Sequence, residues 1–176
     1  VLLHAERDLS LVNVLKLRAR QRGKLKTSEK KVLSTRLKKV VQTTERLLKL
    51  TKNENQWITR IQYIIYSKLA RAEYLAHGKF SKRKDSETIS KELALSFAAL
   101  SHLESLRLLP QSTLEFLQAT YEYTLKQHAG NLLSSAELEN FIVEQVVEAK
   151  EAEDELAKLL FANGYDKKSH DINMDN

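Results

Sequence analysis

SEKKVLSTRLKKVVQTTERLLKL, residues 28–50, decides the fold class. Leu33, Leu37, Val40, Val41, Leu47 and Leu48 recur at steps of 4, 3, 1, 6 and 1. That spacing is one apolar stripe of a 3.6-residue helix, with none of the alternation of a strand. At about 100° per residue, Lys31, Lys38 and Lys49 fall almost on one line on the opposite face, flanked by Lys39 and Arg46. Leucine and valine inward with lysine outward is an ordinary amphipathic arrangement. The scarcity of acid beside the lysines is not.

The same reading extends in both directions. Leu3, Leu11, Val14, Leu15 and Leu17 predict a helix over 1–22, closed by Gly23, and Ser28 is placed to cap the helix over 28–50. Beyond the polar turn TKNEN (51–55), helices are expected over 56–77, 87–109, 113–129 and 136–162. Pro110 stops the fourth. Ser112 with Glu115, and Ser134 with Glu137, have the spacing of a capping box. Trp57, Ile61, Ile65, Leu69, Phe97, Leu100, Leu117, Tyr121, Phe141 and Ile142 are the expected core. The predicted fold class is all-α: about six helices in stacked antiparallel hairpins, tetratricopeptide-like, as one domain over 1–165 with a polar tail over 166–176. Ala70, Tyr74 and Gly78 follow the tetratricopeptide order only loosely, and no second copy lies at a fixed period.

Composition agrees. The chain has 176 residues, 4 Gly and 1 Pro, too few for a turn-rich β architecture. With no Cys, a disulfide framework and a thiolate metal site are excluded. No apolar run is long enough to span a membrane. The start, VLLHAERD, reads as the inside of a helix rather than a signal peptide.

Charge divides the chain. Residues 1–109 hold 24 basic and 10 acidic residues, net +14; residues 110–176 hold 5 and 13, net −8. The densest stretch, 16–49, has 13 basic and 2 acidic residues. A basic lobe beside an acidic one suggests a polyanionic partner for the first; the plain alternative is two solvated faces attracting each other, and the runner-up function is a tetratricopeptide-like protein-interaction module whose Lys and Arg clamp an acidic peptide or partner helix. Signatures of catalysis are missing. No H-x-x-x-H, E-x-x-H, phosphate-cradling glycine loop or G-x-S-x-G occurs. Glu73 and His77 form an isolated i,i+4 pair, better explained as a helix contact than as half a metal site. No enzyme activity, cofactor, metal or small-molecule ligand is expected.

The candidate phosphate contacts fall into three groups. Arg18, Arg20, Arg22, Lys24 and Lys26 alternate through KLRARQRGKLK and splay around a helix end. One or two cations would satisfy the helix dipole, and five exceed that need. Lys31, Lys38, Lys39 and Lys49 form the second group, and Lys79, Lys82, Arg83 and Lys84 on a hairpin-tip loop the third. The first cluster is the expected stronger contact, arginine suiting bidentate phosphate contacts. Arg60, Lys68 and Arg71 carry no particular signal. Tyr63, Tyr66 and Tyr74 could stack on bases, although their helical spacing favours packing at the core edge. The acids of the last helix, Glu139, Glu144, Glu148, Glu151, Glu153, Asp154 and Glu155, are expected to lie away from an RNA.

In order along the chain, LLHAERDLSLV, LKLRARQRGKLK, STRLKKVVQTTERL, WITRIQYIIYSKLARAEYL, ELALSFAALSHLESL and YEYTLKQHAGNLLSSAELENFIVE resemble the N-terminal RNA-binding domain of the 68-kDa subunit of the eukaryotic signal recognition particle, in its budding-yeast-like form. The resemblance covers about residues 1–165. It implies a non-enzymatic scaffold that binds signal recognition particle RNA near the three-way junction of its S domain. It implies cytoplasmic targeting of ribosomes to the endoplasmic reticulum, with assembly in the nucleus or nucleolus. It also implies a 72-kDa partner subunit, held mainly by a region beyond this chain, and an arginine-rich segment preceding it.

Overall fold

The computed structural model describes residues 27–77, 85–130 and 134–165. Among them are six helices and no strand: α1 (Thr27–Leu50), α2 (Trp57–His77), α3 (Ser86–Ser105), α4 (Gln111–His128), α5 (Ser135–Glu151) and α6 (Glu155–Ala162). The all-α expectation is met. The helix expected over 1–22 and the tail over 166–176 lie outside the described residues. The described residues fall into two compact units divided between Glu92 and Leu93, with α3 contributing to both.

In the first unit α1 packs against α2. Leu33, Leu37, Val40 and Val41 are buried from α1, and Ile61, Ile64, Ile65, Ala70 and Ala72 from α2. Tyr66 and Tyr74 cover the cluster of Val40, Val41 and Ala70. Arg60 ties the hairpin together. Its side chain is buried and its Nη1 donates to the Leu48 carbonyl (2.8 Å) and to Thr51 Oγ1 (3.0 Å). The carbonyls of a helix's last turn have no partner within the helix, and α2 supplies one.

In the second unit every residue from Leu93 to Leu100 is buried. A helix buried on all sides must lack charge, and LALSFAALSHL between Glu92 and Glu104 has none. From the other helices Leu114, Leu125, Leu138, Val143, Val146, Leu156 and Leu160 are buried. Of the expected core, Ile61, Ile65, Phe97 and Leu100 are buried; Trp57, Leu69, Leu117, Tyr121, Phe141 and Ile142 are half-buried. On α4 the buried positions are Leu114 and Leu125, which displaces Leu117 and Tyr121 to its flank.

Three boundaries differ from expectation. The single helix expected over 136–162 is broken into α5 and α6. Asp154 N–H donates to the Ala149 carbonyl (2.9 Å) and Glu153 N–H to the Lys150 carbonyl (3.0 Å). This is a Schellman closure, with Glu153 left-handed at φ 61°. Asp154 then caps α6, accepting from the Ala157 N–H. The helix expected to reach residue 109 ends at Ser105 by the same device. Arg107 stands at φ 61°, and Leu108 N–H donates to the Leu103 carbonyl. Leu106 is consequently exposed in a turn. The capping box at Ser134–Glu137 forms in both directions. The one at Ser112–Glu115 does not: Pro110 is the N-cap, and Glu115 accepts from Gln111 Nε2 instead.

Tyr165 ends the described chain. It is buried, edge-on to Phe161 (5.3 Å) and His102 (5.8 Å). His102 Nε2 lies 2.8 Å from the Asn163 carbonyl, which joins the chain end to α3. Burial pushes the Tyr165 hydroxyl up to about 12 from its ordinary 10.0. The ionised form is disfavoured in the fold, so Tyr165's contribution to stability is complete below pH 10 and declines as pH rises toward 12. Urea denaturation across that window is expected to show the native chain losing stability faster than Tyr165→Phe. At neutral pH, Glu153→Gly is expected to add about 0.5–1 kcal/mol by relieving the left-handed residue, and Glu153→Val to subtract a comparable amount.

Candidate nucleic-acid interface

α1 presents its cations as its stripe dictates. With Leu33, Leu37, Val40 and Thr44 turned inward, Lys31, Lys38, Lys39 and Lys49 are exposed, as is Arg46. From Lys31 to Lys49 the axial rise is about 27 Å at 1.5 Å per residue. One acid interrupts the face: Glu45 is also exposed, one turn before Lys49, a spacing that favours pairing. Two groups named from the sequence, Arg18, Arg20, Arg22, Lys24 and Lys26, and Lys79, Lys82, Arg83 and Lys84, lie outside the described residues.

Two other cations of the first unit, Arg60 and Lys68, have structural partners. Arg60 serves the end of α1. Lys68 Nζ is 3.6 Å from Glu92 Oε1, both largely covered. Arg71 is exposed. The role of Arg60 has no signature in the sequence. Its place in the first turn of α2, opposite the end of α1, acquires meaning only in the closed hairpin. Tyr66 and Tyr74 pack against the α1–α2 core, so their rings serve the hairpin, and Tyr63 is half-buried.

The acids of the last predicted helix divide between two elements. Glu139, Glu144, Glu148 and Glu151 are exposed on α5, Glu155 on α6, and Glu153 and Asp154 form the break. Lys150 Nζ sits 4.1 Å over the Phe161 ring, a contact that helps hold α6 to α5. No group of three or more potential metal ligands occurs among the described residues. Glu73 is buried, with His77 Nε2 3.7 Å from its Oε2, a contact within one helix. His128, in the last turn of α4, is held below its ordinary pKa by burial. No helix among the described residues is long and apolar enough to cross a membrane.

The molecule is thus an all-α protein in which α1 carries an outward basic face. The chain is 56% identical over 168 residues to signal recognition particle subunit SRP68 of Saccharomyces cerevisiae, covering 96% of this chain. It belongs to the family of that 68-kDa subunit, and it spans 28% of the length of the yeast relative. No family model matches the chain, and no solved structure does.

Arg60 and the α1 lysines are expected to separate by mutation. Arg60→Ala removes a buried side chain and its two part-buried hydrogen bonds to the end of α1 and is expected to cost about 1–3 kcal/mol in urea denaturation. Lys38→Gln and Lys39→Gln are expected to change stability by less than about 0.5 kcal/mol.

Proposed function

We propose that this chain is an RNA-binding scaffold of the signal recognition particle, serving co-translational targeting to the endoplasmic reticulum. Its ligand is the particle's RNA near the three-way junction of the S domain, bound by shape and phosphate contact. The observation that carries the reading is the row of exposed lysines on α1, in a chain whose yeast relative is named as a subunit of that particle. A-form RNA hides its base edges in a deep, narrow groove, so proteins recognise junctions through backbone and shape. A straight helix bearing lysines over about 27 Å suits one phosphate strand. Arg18, Arg20, Arg22, Lys24 and Lys26 provide the stronger contact, wrapping a bent backbone, and Lys79, Lys82, Arg83 and Lys84 a third. The scaffold is non-enzymatic. It works in the cytoplasm after assembly in the nucleus or nucleolus, and its 72-kDa partner subunit is held mainly by other parts of the protein.

Affinity on this reading comes mainly from counterion release. Removing one cation that neutralises a phosphate therefore flattens the slope of log K against log salt by roughly 1. The test is RNA binding by gel shift at several salt concentrations, with circular dichroism to confirm folding. Replacing Arg18, Arg20 and Arg22 by Gln is expected to flatten the slope by about 2–3 and to weaken binding more than Lys31→Gln with Lys38→Gln. Unchanged slopes in both folded variants, or equal affinity for duplex DNA of the same charge, would contradict the reading.

A further inference from the structure

The outward face of α1 has more order than a row of lysines. At about 100° per residue, Thr35 and Gln42 lie along its middle, Lys31, Lys38 and Lys49 about 40° to one side, and Lys39 and Arg46 about 40° to the other. All of these residues are exposed. Glu45, also exposed, stands at the outer edge of the first row, one turn before Lys49. Two cation rows therefore flank a strip that is polar and uncharged. The buried Thr44 donates its hydroxyl to the Val41 carbonyl within the helix. Thr35 and Gln42 instead stand open to solvent, about 11 Å apart along the axis at 1.5 Å per residue.

The rows differ in chemistry. Lys and Arg donate and carry charge, so phosphate oxygens are their strongest acceptors. A threonine hydroxyl and a glutamine amide both donate and accept, as a ribose 2′-hydroxyl does. Phosphates of two strands with ribose hydroxyls between them occur together in the wide, shallow minor groove of A-form RNA. The major groove of A-form RNA is too deep and narrow to offer that surface. The minor groove of B-DNA, about 6 Å wide, is too narrow for a helix about 10 Å across and has no 2′-hydroxyl.

We propose that Thr35 and Gln42 read ribose 2′-hydroxyls, so that α1 distinguishes RNA from DNA at the sugar. The helix lies on an A-form minor groove, with Lys31, Lys38 and Lys49 on the phosphates of one strand and Lys39 and Arg46 on those of the other. Thr35 and Gln42, between the rows, exchange hydrogen bonds with the hydroxyls. Glu45 has Lys49 one turn away, a spacing at which the lysine offsets its repulsion of phosphate. The inference rests on the reading of α1 as an RNA-binding face and adds a division of labour to it. The cations set affinity and its salt dependence, and the uncharged pair sets discrimination without altering that dependence.

The test uses the full chain and two versions of the particle's junction RNA, one natural and one with 2′-fluoro in place of every 2′-hydroxyl. Fluorine keeps the A form and the phosphate charge but removes the hydroxyl donor. Gel shifts are read at several salt concentrations. The native chain is expected to bind the natural RNA about tenfold more tightly than the fluorinated one. Thr35→Val with Gln42→Met is expected to lose about five- to tenfold toward natural RNA, to stay within about twofold toward fluorinated RNA, and to keep the slope of log K against log salt. Lys38→Gln with Lys39→Gln is expected to weaken binding of both RNAs alike and to flatten both slopes by roughly 2. The substituted residues are all exposed, so folding is retained, and circular dichroism verifies it. Equal binding of the two RNAs by the native chain would overturn the inference, as would a Thr35/Gln42 variant that weakens both RNAs equally or neither, while the lysine slopes still support RNA binding. Absence of RNA binding by the native chain would overturn that reading and the inference with it.

Discussion

The seam between α1 and α2 governs the first unit and, through it, the candidate interface. Leu33, Leu37 and Val40 on one side and Ile61, Ile64 and Ile65 on the other are almost wholly removed from water. Fully burying side chains of this size is worth roughly 1.5–3 kcal/mol each. α1 has one apolar stripe and this seam consumes it. The helix cannot rotate without exposing leucine and burying lysine, so the orientation of the four lysines follows from the burial of the leucines. Arg60 fixes the remaining freedom, the position of α2 along α1, by donating to the last turn of α1 and to the turn that follows it.

The second unit rests on a different solution. Its centre is the uncharged middle of α3, and its ends are sealed by left-handed closures rather than by prolines. Arg107, Glu153 and Gly164 all stand at positive φ just beyond a helix end. Only the last is glycine, so two closures hold against local strain because the hydrogen bonds and the packing around them prevail. The break at Glu153 folds α6 back, where it buries Leu156, Ala157 and Leu160, and leads the chain to Tyr165 beside His102. A continuous helix would have carried those apolar residues away from that core.

This contrast explains what is legible in the sequence. The helices over 28–50 and 56–77 are legible because period and polarity agree at nearly every position. The α5–α6 break is not, because helix formers run through EAKEAEDELAK and neither Gly nor Pro marks the turn; the cue is Asp154, an N-cap residue hidden in an acidic run. Ser112 and Glu115 mislead for the opposite reason. They match a capping signature, but Pro110 has already started the helix two residues earlier. At the candidate site, the outward lysines of α1 follow from the stripe. The role of Arg60 does not, since it depends on a hydrogen bond across the hairpin.

The proposed reading has the outward lysines of α1 among the cations that meet RNA phosphate. Lysine acetylation followed by mass spectrometry, on the protein alone and with the particle's RNA bound, measures this residue by residue. The account predicts that RNA protects Lys31, Lys38, Lys39 and Lys49 and leaves Lys150 and Lys158, exposed among the acids of the second unit, as reactive as before. Undiminished reactivity along α1, or protection centred on Lys150 and Lys158, would contradict it.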